Sequence, residues 1–271
     1  MKRIIAVNSN TYHGYSLDDA ISGISKAGFK YIELTATKGW TEHVFPTMTF
    51  EELCRIKDSL KKAELTPISM SGHCNLMDTE RLSDFILNIK LASFFGCDYI
   101  ISSIGEAHLK DRTETSDEEV AKHIKEIVPY LQEYNLKLCL ENHGKHGTGK
   151  QLKKIVDLVD SPTVMINYDT ANVIYYGNID PVEDISSCID KIGHIHLKDK
   201  AGANNEWNFP AIGKGNVDFE RIISELDKAN NNCPLSIEIE FTKDGARNLG
   251  EVNQAVKDSY DYLKKIGLFS A

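Results

Sequence analysis

The sequence of 271 residues lacks a long hydrophobic run, and its apolar stretches fall well short of the roughly 18 residues that a membrane-spanning helix needs. The opening MKRIIAVNSN has two basic residues, but its apolar run before Asn8 is too short for the apolar core of a signal peptide. We therefore expect a cytoplasmic protein that does not enter a membrane.

Positive charge is also scarce. The chain has 31 Lys and Arg residues against 40 Asp and Glu residues, which gives a formal net charge of -9 at pH 7. No local basic patch interrupts this excess, so a nucleic acid or an anionic membrane surface would meet net repulsion. The sequence therefore favours neither kind of polyanion as a partner.

Paired cysteines and glycine-rich nucleotide motifs are missing as well. The six cysteines are scattered without a CxxC pair, which predicts reduced, mostly buried thiols rather than disulfides or a structural zinc site. The segment NSNTYHGYS, after the first predicted strand, does not supply the GxGxxG turn of dinucleotide-binding sheets. No Pro/Ser-rich linker, low-complexity tract or plain repeat divides the chain, so we expect a single domain over residues 1–271.

The sequence does contain a regular alternation of short β-branched runs with amphipathic stretches. Strands are predicted at RIIAVN, YIELTA, TPISMS, YIISSI, LKLCLE, VMINYD, GHIHLK and LSIEIE. Helices are predicted to begin near Ser16, Thr49, Thr79, Ser116, Gly149, Pro181 and Asp218, and a last one covers LGEVNQAVKDSYDYLKKIG. Eight strands alternating with eight helices predict an α/β fold, a closed (β/α)8 TIM barrel.

A barrel of this class carries its active site at the C-terminal ends of its strands. Ionisable and amide side chains interrupt the apolar strands at these ends, namely Glu33, His73, Glu141, His143, Asp169, Asn172, Glu238 and Glu240. Burying so many carboxylates without a compensating charge is costly, and a bound divalent cation would offset their mutual repulsion. The strand ends therefore predict a metal site.

The stretch IGHIHLKDK places two histidines in one predicted strand. Residues two apart share a face, so His194 and His196 should project the same way, either as ligands or as hydrogen-bonded core residues. His196 is nearer the C-terminal end and is the ligand candidate, while His194 should lie a layer deeper. Together with Glu141, Asp169 and Glu238, His196 completes a set of three carboxylates and one imidazole. Such a set suits Mn²⁺, Mg²⁺ or Co²⁺.

The motifs LENHG, NYDTAN, HIHLKD, FPAIGKGNVDF and PLSIEIE, in this order, resemble the xylose-isomerase-like barrel superfamily of sugar isomerases and epimerases. That superfamily also contains the family-two apurinic (AP) endonucleases. In the branch that includes D-tagatose 3-epimerase, the resemblance implies one metal held by Glu141, Asp169, His196 and Glu238. It also implies that Glu141 and Glu238 are catalytic and exchange a proton next to a carbonyl, through an enediolate.

The residues expected to bind substrate are His73, His143, Asn172, Lys198 and Glu33. His73 and His143 lie at the mouth ends of strands, while Glu33 is either a substrate contact or a satisfied strand-end carboxylate. Asn172 replaces a histidine that often occurs in this branch, and it can still hydrogen-bond a hydroxyl. Lys198 would suit a phosphate or a carboxylate, so the substrate is a sugar or a sugar phosphate.

Two other activities use the same scaffold. A metal-dependent lyase, such as an inosose or dehydroshikimate dehydratase, would abstract the same proton and then expel a β-hydroxyl. The nuclease alternative is weaker, because the segment EWNFPAIGKG lacks the histidine that those three-zinc enzymes carry before this turn. We expect a metal-dependent carbohydrate epimerase or isomerase with a small sugar as its partner, and a homo-oligomeric assembly stays open.

Overall fold

The structure, a computed structural model, describes residues 3–269. Eight parallel strands form a closed barrel. They are β1 (Ile5–Asn8), β2 (Tyr31–Thr37), β3 (Thr66–Ser71), β4 (Tyr99–Ser102), β5 (Lys137–Glu141), β6 (Val164–Asp169), β7 (Ile192–Leu197) and β8 (Leu235–Ile237). Each strand pairs with the next, and β8 closes the barrel against β1. The predicted (β/α)8 fold is confirmed.

At least one helix follows each strand, and together these helices cover the outside of the barrel. The eight that alternate with the strands are α1 (Leu17–Ala27), α2 (Phe50–Lys62), α3 (Thr79–Phe95), α4 (Asp117–Glu133), α5 (Gly149–Val159), α6 (Pro181–Ile185), α7 (Phe219–Lys228) and α8 (Leu249–Lys265). A further single helical turn, Asn172–Tyr175, lies between β6 and α6. Among the described residues, no helix is long and apolar enough to cross a membrane. The two residues at each end of the predicted domain, 1–2 and 270–271, lie outside the described part.

Local sequence explains where the helices begin and end. Ser16 caps α1, because its side chain accepts the N–H of Asp19 while the Asp19 carboxylate accepts the N–H of Ser16. Thr49 and Glu52 make the same reciprocal pair at α2. Gly28 ends α1 at a φ of 108°, a left-handed conformation that costs a residue with a Cβ more than it costs glycine.

The barrel interior is polar toward the C-terminal end of its strands. Residues two apart share a face, so Asn167 and Asp169 on β6 point inward with His194 and His196 on β7. All four are fully buried, and His194 Nδ1 lies 2.8 Å from Asn167 Oδ1. The C-terminal part of the barrel interior is therefore both polar and closed to solvent.

The rim of the barrel carries two short antiparallel pairings. Asn208–Phe209, in the loop after β7, pairs with Phe241–Thr242, in the loop after β8. Thr41–Glu42 pairs back onto the end of β2. Predicted strand eight was expected to reach Glu240, but it ends at Ile237, because the chain turns there to form the first of these rim pairings.

Candidate active site

Four side chains predicted as metal ligands converge at the C-terminal mouth of the barrel. They come from the ends of four consecutive strands, and they are Glu141, Asp169, His196 and Glu238. One ligand atom from each lies within 4.8 Å of the corresponding atoms of the others, and all four residues are buried. The closeness follows from the parallel barrel, which brings the carboxyl ends of its strands to one edge.

Asp169 keeps one oxygen occupied and the other free. Its Oδ1 accepts the backbone N–H groups of Ala171 and Asn172 at 2.8 and 2.7 Å, so the turn after β6 fixes the carboxylate. Its Oδ2 is buried and has no hydrogen-bond partner within residues 3–269, and the ammonium of Lys198 stays 3.8 Å away. Burial, reinforced by Glu141 and Glu238 against the opposing effect of Lys198, raises the pKa of Asp169 to about 7.

Glu238 is held in a similar way by two asparagines of the first strand and its loop. Its Oε1 accepts amide N–H groups from Asn8 at 3.0 Å and Asn10 at 3.1 Å. Its Oε2 lies 3.1 Å from Lys198 Nζ and 3.7 Å from His196 Nδ1. The amides therefore turn one carboxylate edge toward the other ligand candidates.

Glu141 and His196 are in direct contact. His196 Nδ1 lies 2.6 Å from Glu141 Oε1, and His196 Nε2 lies 2.9 Å from Glu33 Oε1. Burial alone would lower the pKa of His196, but the surrounding carboxylates, Glu33, Glu238 and Glu141, raise it well above its usual range. Burial would raise the pKa of Glu141, but His196 and His73 lower it, so the carboxylate is ionised at neutral pH.

These residues fit a divalent cation. Three buried carboxylates and one imidazole provide hard oxygen donors and one nitrogen, and the unpartnered Asp169 Oδ2 is an acceptor that a cation would satisfy. Oxygen-rich ligand sets of this kind suit Mg²⁺ and Mn²⁺. Structural zinc sites, by contrast, are rich in thiolates or histidines.

Lys198 lies beside this group as a buried cation. Its ammonium contacts Glu240 directly and Glu238 at 3.1 Å, and it stands over the ring of Phe209, 4.7 Å from the ring centroid. Burial would lower the pKa of Lys198, but the charges of Glu238, Glu240 and Asp169 raise it well above its usual range. The lysine is therefore already paired, which weakens the expectation that it receives a phosphate.

A small inner cavity of about 10 Å³ adjoins the ligand candidates, and His73, His143 and Asn172 line it. The Asn172 side-chain NH₂ is buried and has no hydrogen-bond partner among the described residues. His143 Nε2 lies 3.0 Å from the Tyr176 hydroxyl. Burial lowers the pKa of His143 to about 4, so its ring is neutral at physiological pH.

The backbone determines which nitrogen of His73 carries its proton. The Ser103 N–H donates to His73 Nδ1 at 3.0 Å, so Nδ1 must be the acceptor and the proton of the neutral ring resides on Nε2. His73 Nε2 lies 3.7 Å from Glu141 Oε2. His73 thus presents an N–H group to the inner cavity.

Glu33 has different surroundings from those of a substrate contact. It is fully buried, and its oxygens are engaged by protein groups, including His196 and Ser69. It does not line the inner cavity. Of the two interpretations left open above, this position favours a satisfied carboxylate, because β2 places Glu33 below the mouth of the barrel.

Several residues of the site had no clear sequence signal. Trp40 is stacked between the rings of His13 and His108, with centroids 4.0 Å apart on each side. Trp40 separates the inner cavity from an outer cavity of about 370 Å³, and both are lined by Trp40, Asn10 and Glu240. A sequence of alternating strands does not indicate which loop residues meet across the mouth.

The GKG motif after β7 has a structural explanation. Asp199 accepts the backbone N–H groups of Gly213 at 2.9 Å, Gly215 at 2.8 Å and Val217 at 3.1 Å. A Cβ on Gly215 would come within 2.3 Å of the Asp199 carboxylate, which explains the glycine. Asp199 therefore holds the rim loop in place.

Comparisons with known proteins agree with the fold. Residues 21–266 match the sequence model of the family described as xylose isomerase-like TIM barrel. An inosose dehydratase of Clostridium tetani is 27% identical over 157 residues, which cover 50% of this chain and 50% of that protein. The chain thus matches about half the length of the first curated relatives.

Two solved structures share the fold over nearly their whole length. The structure of D-psicose 3-epimerase in the presence of D-fructose has a TM-score of 0.78 at 14% identity, covering 98% of this chain and 99% of that one. The structure of IOLI protein with a binding zinc atom has a TM-score of 0.78 at 17% identity, covering 100% of both chains. At these identities the likeness establishes the fold alone.

Proposed function

Because the chain belongs to the xylose isomerase-like TIM barrel family, we propose that it is a divalent-metal-dependent carbohydrate epimerase or isomerase, made of one domain over residues 1–271. The observation that carries the proposal is the pair Glu141 and Glu238, two buried carboxylates within one group of candidate ligands. Such a pair can remove a proton next to a carbonyl and return one to the same centre.

The metal would be held by Glu141, Asp169, His196 and Glu238, and Mn²⁺ or Mg²⁺ suits their oxygen-rich donor set, with Co²⁺ as a substitute. A bound cation of this kind supplies a Lewis acid that polarises a substrate carbonyl and stabilises the negative charge that develops on its oxygen. The free Asp169 Oδ2 supports this assignment.

The protein's own groups would then move the proton and orient the substrate. Glu141 is ionised at neutral pH and accepts the proton, while Glu238 serves the opposite side. Asn172 donates its unpartnered NH₂ to a substrate oxygen, and His73 donates from Nε2. His143 and its partner Tyr176 complete the polar wall.

The charge around the site favours an uncharged sugar or keto-polyol over a sugar phosphate. Lys198 is already neutralised by Glu238 and Glu240, and no arginine is among the described residues that line the inner cavity. A phosphate would therefore meet carboxylates without an unpaired cation to offset them.

A dehydratase is the second candidate, and the inosose dehydratase relatives favour it. In that reaction, a glutamate removes the proton next to the carbonyl, and the β-hydroxyl leaves as water after a proton transfer from an acid. The glutamate that has taken up the substrate proton would supply this proton, because the raised pKa of Lys198 makes its ammonium a weak acid.

A product assay separates these activities. Metal-stripped protein would be reloaded with Mg²⁺ or Mn²⁺ and incubated with ketoses, keto-inositols and sugar phosphates, and NMR would identify the products. We expect the product to be an epimer or isomer of an uncharged substrate. Adding EDTA should abolish its formation. An unsaturated product that is lighter than the substrate by one water molecule would establish the dehydratase instead. Turnover unaffected by EDTA would contradict both.

A further inference from the structure

Glu33 is a buried carboxylate that the chemistry proposed above does not use. Its Oε1 accepts from His196 Nε2 at 2.9 Å and from Asn8 Nδ2 at 3.1 Å. Its Oε2 accepts from Ser69 Oγ at 2.8 Å, and His194 Nε2 lies 3.4 Å away. The side chain has no exposed surface, so its contacts are with the protein.

The contact with His196 determines how that imidazole is presented. An ionised carboxylate can only accept hydrogen bonds, so His196 Nε2 must carry a proton where it meets Glu33. The same rule places a proton on Nδ1 beside Glu141 in the metal-free protein, in line with the raised pKa of His196. If Nδ1 gives up that proton to a metal ion, the lone pair is on Nδ1, because Glu33 retains the proton on Nε2. His196 Nδ1 is the atom that faces Glu141 at 2.6 Å and Glu238 at 3.7 Å, on the side where the candidate ligands converge.

Asn8 links Glu33 to a second ligand candidate. Its Nδ2 donates both to Glu33 Oε1 and to Glu238 Oε1, at 3.1 and 3.0 Å. Its Oδ1 accepts from the Thr35 hydroxyl and from the Asn10 N–H, which fixes the direction of the amide. One network below the mouth thus fixes His196 and Glu238 together.

We infer that Glu33 is a positioning residue, which acts through His196 by holding its ring in the orientation and tautomer that make Nδ1 a metal ligand. This inference rests on the proposed metal-dependent function. It assigns Glu33 a role other than substrate contact, and it explains why a carboxylate is buried beneath a group that already contains three. Partners that orient a ligating histidine commonly change metal affinity by 10- to 100-fold when they are removed.

Glu33, His194 and His196 also lie close enough together to be considered as a second metal site. All three are fully buried, and Glu33 contacts His196 by a direct hydrogen bond of 2.9 Å. Both oxygens of Glu33 also accept hydrogen bonds from other protein groups, Asn8 and Ser69, whereas Asp169 Oδ2 in the site above has no such partner among the described residues. The triad is therefore a support for the site above it.

The test compares Glu33→Gln with Ser69→Ala as a matched control. Ser69 contacts the other oxygen of Glu33, so its loss removes a buried hydrogen bond but spares the contact with His196. Co²⁺ would be titrated calorimetrically into the metal-stripped full chain. We expect Glu33→Gln to weaken Co²⁺ binding by about 10- to 100-fold and Ser69→Ala by less than about threefold. Equal affinities in both variants would overturn the inference.

A second measurement requires no variant and therefore does not depend on how well Glu33→Gln folds. In ¹⁵N-histidine-labelled wild-type protein loaded with Zn²⁺, long-range ¹H–¹⁵N spectra should show His196 protonated at Nε2 and unprotonated at Nδ1. The opposite tautomer would overturn the inference while leaving the proposed function intact. Failure of the wild type to bind either ion would overturn both.

Discussion

The histidine pair of β7 offers a sharp test, because the two rings are neighbours with different surroundings. His196 lies among the carboxylates, whereas His194 contacts Asn167 and Ser69 in the layer below. We expect His196→Ala to lose metal and turnover together. His194→Ala should retain its metal but unfold more easily, because its role is to satisfy buried polar groups.

The contacts of His194 set the size of that effect. Its removal leaves Asn167 Oδ1 without the ring that bonds it at 2.8 Å, while Ser69 keeps its hydrogen bond to Glu33. One orphaned buried acceptor costs about 1 to 3 kcal/mol, and the cavity left by the ring adds about as much. In a chain of this length, the loss lowers the melting temperature by roughly 2 to 4 °C per kcal/mol.

Both variants would be examined by elemental analysis after metal loading and by thermal unfolding without metal. Two outcomes would refute the reasoning. One is an equal loss of metal from His194→Ala and His196→Ala, which would mean that depth in the barrel does not separate ligand from support. The other is a His196→Ala variant that keeps about one ion per chain.

The remaining predictions concern the carboxylates and the lysine. Replacing Glu141 or Glu238 with Gln keeps an oxygen ligand but removes the proton acceptor. Turnover should therefore fall by about 10² to 10⁴, with part of the metal retained. A Gln variant that inverts its substrate at near the wild-type rate would show that a single base suffices. The pKa of Asp169 is about 7, so below that pH a proton competes with the metal for its carboxylate. The metal affinity measured by calorimetry should fall by up to about tenfold per pH unit below pH 7. Above pH 7, Asp169 should add no further pH dependence. Lys198→Met leaves buried carboxylates without their cation. Urea unfolding of the metal-free protein should show that the free energy of unfolding falls by about 3 to 5 kcal/mol, and added metal should partly restore it. An unchanged unfolding midpoint would mean that the lysine is not the counter-charge of these carboxylates.

The fold was predictable because its signals are local and repeated. Caps such as Ser16 and Thr49 begin helices where the structure begins them. Polar residues such as Asp169 end predicted strands where the structure ends them. The ligand candidates were predictable for the same reason, since parallel strands in a barrel bring their C-terminal ends together.

The rest of the site depends on contacts between residues far apart in the sequence. Nothing near Glu33 indicates that its carboxylate meets His196, which is 163 positions away along the chain. Asn8 and Asn10 precede Glu238 by more than 200 positions, so their hydrogen bonds with it had no sequence signal. The burial of Lys198 among carboxylates follows from rim loops whose course the strand pattern does not determine.

The central claim is that the metal-loaded site removes a proton next to a carbonyl. Its most direct test is to incubate the Mg²⁺-loaded protein in D₂O with an uncharged ketose or keto-inositol and to follow deuterium at that carbon by NMR and mass spectrometry. We predict incorporation of one deuterium at the carbon next to the carbonyl, abolished by EDTA and by Glu141→Gln. A substrate that is converted by the metal-loaded protein without taking up deuterium from solvent, at a rate that EDTA leaves unchanged, would contradict the account.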